Sequence, residues 1–179
     1  MNAILVKTLT ASKNIDALNA SFKYEQDLPN GSVFQLGALS TDDGESQVYE
    51  PVAPATGSLS GLWMAANPID VIITDALGNQ YKPGINNPGA YTNVANVVFS
   101  GFKPQVGDII ILSADGISGS ISTNQYVVAA NGATKLAFAA AAIEGLSFHI
   151  EETTYISVAG INGIGSERVT AYKLRCVAN

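Results

Sequence analysis

Turn-forming dipeptides punctuate the chain from end to end: Asn30-Gly31, Asp43-Gly44, Gly78-Asn79, Asp115-Gly116, Asn131-Gly132 and Asn162-Gly163. Glycine and asparagine reach positive φ at little steric cost, so each pair suits an abrupt chain reversal. Between them run short segments rich in Val, Ile, Thr, Tyr and Phe: "SVFQLGAL", "IDVIITDA", "NVANVVFSGF", "GDIIILSA", "NQYVVAA", "LSFHIEE", "TTYISVA" and "ERVTAYKLRCV". Branched and aromatic side chains fit a pleated, half-buried surface. A chain that reverses this often leaves little room for long helices. The spacing predicts an all-β fold, a sandwich or barrel of short antiparallel strands with little helix.

Two segments stay open between alternatives. "TASKNIDALNAS" (10–21) sets Ile15 and Leu18 three apart, as a helix would, and fits an extended N-terminal arm equally well. "KLAFAAAAIEG" (135–145) has a run of alanines that suits a helix or a tightly packed strand. "EPVAPATGSLSG" (50–61) and "YKPGINNPGAYTN" (81–93) read as connecting loops. No shift in composition divides the 179 residues. We therefore expect residues 1–20 to form an N-terminal arm or first strand, and residues 21–179 a single β-rich domain.

Charge decides which partners are excluded. The net charge is −6, with no Lys/Arg cluster, which excludes a phosphate-neutralising nucleic-acid surface and an anionic membrane surface. No apolar run approaches the length of a membrane-spanning helix, about 18 residues or more. The opening "MNAILVKTLTASKN" has too short an apolar run for a signal peptide and no basic start. Synthesis in the cytoplasm without secretion is expected, and the sequons at Asn19 and Asn30 are then chance matches. Charged residues make up 13% of the chain, about half the usual globular share. Either part of the surface is buried against other subunits, or Ser, Thr and Asn supply the solubility.

The search for chemistry finds little. His149 is the only histidine, and strand alternation sets it on one face with Ser147 and Glu151, with Phe148 and Ile150 on the other. Ser147 or Ser157 could complete a nucleophile–base pair on paper, but no Gly-x-Ser-x-Gly elbow is present. Cys176 is the only cysteine and shares a face with Tyr172 and Leu174, as a buried structural thiol would. One His and one Cys make a poor zinc ligand set. Asp42, Asp43 and Glu45 are too few for a calcium loop and read as a solvated turn. Asp70, Asp75 and Asp108 read as strand-edge residues, Asp108 within "FKPQVGDIIILSADG" (102–116), where Pro104 and Gly107 shape the turn. Phosphate-binding and dinucleotide fingerprints are absent. No catalytic residue, metal or cofactor is expected.

"SGLWMAANP" (60–68) holds the only tryptophan. Leu62, Trp63 and Met64 form a contiguous apolar group just before a strand, suited to a core anchor, a subunit contact or a ligand platform. With Tyr81 and Tyr91, Trp63 would also suit sugar stacking if the rings were exposed.

Taken in order, "NGSVFQLGALS" (30–40), "TGSLSGLWMAANP" (56–68), "FKPQVGDIIILSADG" (102–116) and "TTYISV…ERVTAYKL" (153–174) resemble small virion structural proteins of tailed bacteriophages. The likeness runs from about residue 12 to the C-terminus and is nearest to head decoration, or cement, proteins. It implies a non-enzymatic capsid protein that stabilises the head through contacts with the major capsid protein and with other copies of itself. Closed symmetry is the usual route to such assemblies, so a trimer at three-fold positions is expected. Such families have no catalytic residues to carry over. The alternatives are a tail or neck protein, or an adhesin-type module recognising a host surface glycan. A small hydrolase with a site around His149 is the third class.

Overall fold

The computed structural model describes residues 1–41, 47–55, 57–69, 73–74, 77–78, 80–81, 88–159 and 165–179. Its strands are β1 (Leu5–Leu9), β2 (Asn19–Lys23), β3 (Val33–Leu39), β4 (Val48–Val52), β5 (Trp63–Ala65), β6 (Ile73–Thr74) and β7 (Gln80–Tyr81). They continue with β8 (Val98–Phe102), β9 (Ile109–Ser113), β10 (Ile117–Ser118), β11 (Tyr126–Ala130), β12 (Ala133–Ala139), β13 (Ser147–Ala159) and β14 (Ser166–Ala178). Helix among the described residues is confined to three-residue 3-10 turns at Ala11–Lys13, Asp16–Leu18, Pro88–Ala90 and Ala114–Gly116. The fold is all-β.

A barrel and an open sheet are both present. Strands β2, β4, β3, β5 and β8 close into a barrel in that order, and a seven-stranded sheet runs β1-β9-β14-β13-β11-β12-β10. β6 and β7 form a separate small hairpin. Most neighbours are antiparallel, as the turn-rich sequence predicts. Two pairs, β2 with β4 and β10 with β12, are parallel because their connections cross over an intervening strand. The Asn131-Gly132 turn joins β11 to β12 in two residues, with Gly132 at φ 70°. Asp43-Gly44, Asn162-Gly163 and Asn79 lie outside the described residues.

Side-chain alternation on the barrel wall builds two cores. In β3, Phe34 points into the barrel and Val33 outward; in β5, Trp63 and Ala65 point in and Met64 outward. These strands face each other directly, Val33 opposite Met64 and Phe34 opposite Trp63. The barrel interior is aromatic, with Phe22 at 4.7 Å from Phe34 and 5.5 Å from Trp63 between ring centroids. The outward set meets Ile110, Leu112, Phe148 and Leu174 of the large sheet in a second, larger core. Gly101 in β8 is one of the places where the barrel has no room for a side chain: a Cβ there would stand 2.8 Å from the Phe22 ring and 3.0 Å from the Met64 carbonyl oxygen.

The open segments resolve along the same lines. Residues 10–21 form two 3-10 turns that lead into β2, neither a helix nor an extended arm, while β1 within the first 20 residues joins the sheet beside β9. Residues 135–139 continue β12, with Leu136 buried, and the alanine run after Ala139 leaves the strand. The loop expected over 50–61 starts later, because Glu50–Val52 still belong to β4. Expected as two strands, "LSFHIEE" and "TTYISVA" are one, β13, which bulges between Ile150 and Glu152.

Substituting Gly101 by alanine forces the Phe22 ring to move. It should lower the unfolding free energy by about 1–3 kcal/mol in urea titrations; unchanged stability would mean a loosely filled barrel.

Candidate functional site

The tryptophan segment belongs to the interior. Leu62 and Met64 are 0% exposed in the core between barrel and sheet, and Trp63 is 8% exposed inside the barrel. The backbone of Leu62 is clamped by Asn179: its N–H donates to Asn179 Oδ1, and its carbonyl accepts from Asn179 Nδ2. Contacts within the chain thus cover all three side chains almost completely. Tyr91 is buried as well, so neither it nor Trp63 offers a ring face to a sugar. The side chain of Tyr81 lies outside the described residues.

Tyr91 instead organises a polar network behind the groove described below. Its hydroxyl donates to Asn93 Oδ1 at 2.9 Å and accepts from Asn67 Nδ2. Asn93 Nδ2 donates to the Leu28 carbonyl at 2.7 Å, and Asn30 Nδ2 donates to the Asn67 carbonyl at 2.9 Å. Each amide supplies both a donor and an acceptor, so three asparagines and one tyrosine tie the 28–32 turn to the segments after β5 and before β8. Burial pushes the Tyr91 hydroxyl pKa above its usual value, against the hydrogen bond from Asn67.

His149 sits at the sheet surface. Its Nδ1 lies 3.3 Å from Glu151 Oε1, which also accepts from Arg175 Nε. The Arg175 hydrogen bond is the main reason the exposed Glu151 carboxyl lies below the usual carboxylate range. The Tyr126 ring stands edge-on to the imidazole at 5.3 Å. The serines are elsewhere: Ser147 Oγ is engaged with the Ile143 backbone, and Ser157 is eight residues along β13, about 26 Å away at strand rise. Cys176 faces the core opposite Phe148. Burial, helped by the Asp108 carboxylate, pushes its thiol pKa up to about 12. Asp108 is buried, and its two oxygens accept from Ala11 N–H at 2.8 Å and Gln105 N–H at 2.9 Å, which fastens the first 3-10 turn to the start of β9. Among the described residues no three His, Cys, Asp or Glu side chains converge as metal ligands, and no helix is long and apolar enough to cross a membrane. Asp42, Asp43, Glu45, Asp70 and Asp75 lie outside the described residues.

What the surface does offer is shape. β13 pairs with β11 only through Ser147–His149, and β14 pairs with β9 only through Ala171–Arg175. Beyond that, Tyr155–Ala159 and Ser166–Thr170 pair with each other, and among the described residues no third strand joins them. They form a two-stranded arm of about 15 Å at ordinary strand rise, one face of which is covered at Val158, 4% exposed. Tyr155, opposite Thr170, is 58% exposed on one face; Ile156 on the other face borders a groove of about 350 Å³. Leu5, Val6 and Lys7 of β1 form one side of that groove, and Pro68 and Ile69 contribute to the rest. Sequence reading missed the arm because Glu151 and Glu152 look like a break. The bulge keeps Glu151 beside Arg175 and sets Glu152 opposite Lys173, so the strand runs through.

Replacing Tyr91 by phenylalanine strands Asn67 Nδ2 and Asn93 Oδ1, and should cost about 1–3 kcal/mol in chemical denaturation. For Cys176 the sign follows from a folded pKa of about 12 against an ordinary 9.0. The unfolded chain gives up the proton first, so this contribution to stability is complete below about pH 9 and falls as the pH rises towards 12. The slope is at most about 1.4 kcal/mol per pH unit. Cys176→Ala should flatten it in unfolding titrations across that range, and an unchanged slope would place the effect elsewhere. No protein-family model, curated protein or solved structure matches this chain.

Proposed function

We propose that this chain is a structural protein of a tailed-phage virion, a head decoration or cement protein that binds the major capsid protein and other copies of itself. The observation that carries the reading is the β13–β14 arm. A ribbon that no third strand joins among the described residues can add to a neighbouring sheet through its main chain, which makes contact area without any chemistry. Both halves of the arm fall within segments that carry the resemblance to virion proteins, "TTYISV" and "ERVTAYKL". The low charge content fits a subunit that buries surface in a lattice. An arm on one patch reaching a different patch of the next copy is a heterologous contact, and three such contacts close a trimer when the rotation is 120°.

The test is the particle itself. Mass spectrometry of washed virions should find the chain in fixed stoichiometry with the major capsid protein, and electron microscopy should place it on the head. Tyr155→Asp should keep the fold, judged by circular dichroism, yet bind particles that lack the protein at least about tenfold more weakly, as loss of a central aromatic contact does. Washed virions without the chain would overturn the reading.

A further inference from the structure

Among the described residues the large sheet ends at β1, and residues 3–7 line the groove. Ser113 N–H donates to the Ile4 carbonyl, and Ser113 Oγ accepts from Ile4 N–H, so Ile4 faces β9. Antiparallel alternation then turns Val6 towards β9 and directs the N–H and C=O of Leu5 and Lys7 out into the groove. This is a row of main-chain donors and acceptors beside apolar side chains, the arrangement that an added strand uses.

Lys7 gives the edge a sign. Its Nζ lies 5.1 Å from the centroid of the Phe102 ring, and among the described residues no carboxylate is in ion-pair contact with it. Lys7 is the one charged residue among the described residues that line the groove, and Asp16 lines a neighbouring hollow that Lys7 also borders. Partial burial, and after it Lys13, lowers the Lys7 pKa. A lysine on an edge strand and a bulge, here between Lys7 and Leu9, are devices that discourage indiscriminate pairing. A strand that brings a carboxylate to Lys7 converts this obstacle into a selective contact.

We propose that the β1 groove receives an extended, carboxylate-bearing segment of a partner protein. The segment adds beside β1 through the main chain of Leu5 and Lys7, rests an apolar side chain against Pro68 and Ile69, and sets its carboxylate on Lys7. This deepens the assembly reading and rests on it only for the partner being a virion protein.

The test uses the isolated full chain, nitrogen-15 labelled, and a blocked heptapeptide of alternating valine and threonine with one central glutamate. Saturable shift changes at Leu5, Lys7 and Ile69 are expected. The central-lysine peptide and the Lys7→Met protein should each bind at least about tenfold more weakly, as expected for a lost, partly desolvated ion pair. A backbone N-methylated glutamate peptide should not bind, because it cannot complete the strand pairing. Equal binding of the glutamate and lysine peptides, shifts confined to other surfaces, or no binding at about millimolar peptide would each overturn the proposal. Failure here with the chain present in virions removes the groove and leaves the assembly role. Peptide binding with the chain absent from virions does the reverse.

Discussion

The fold hangs on a three-residue strand. β5 is one of five barrel strands, and its residues alternate between the aromatic barrel interior and the core under the large sheet. Trp63 and Ala65 serve the first, Met64 the second, with Leu62 just before it. A slip of one residue in this strand would exchange the two sets, driving an indole into the larger core and a thioether into the barrel. Neither volume would fit its new neighbours, so the register of β5 against β3 is fixed from both sides at once.

Aromatic packing explains why so short a strand is enough. Phe22 contacts Phe34, Tyr49, Trp63 and Phe99, so rings from β2, β3, β4, β5 and β8 meet at one point and close the barrel. Each ring buries a large apolar area, and edge-on contacts suit ring quadrupoles. Gly101 is the complement of this crowding: the ring of Phe22 takes the space its side chain would need.

The turn dipeptides and β-prone runs made the all-β class legible, because those signals are local. The face shared by Tyr172, Leu174 and Cys176 was legible for the same reason, period two within one strand. The barrel was not, since β2 meets β8 across some eighty residues and β2 meets β4 in parallel, pairings that no local pattern encodes. Asp108 looked like a strand-edge carboxylate and proved to be a buried clasp, because its partner Ala11 is far away in sequence. The asparagine network was hidden for a related reason: asparagine reads as a loop residue until Tyr91 supplies the buried partner. The arm was obscured by its own charges, and the groove by the distance between β1 and residues 66–69.

The position of β9 in the large sheet has a mechanical consequence. β1 and β14 flank it, both antiparallel to it and therefore parallel to each other. Tension between the leading end of β1 and the trailing end of β14 acts along the strands in opposite senses. The rungs on both sides of β9 are then loaded together in shear, and none can peel open one at a time. A chain strung between two anchors through its ends would resist stretching as a clamp does, where a hairpin pulled at its open end would unzip.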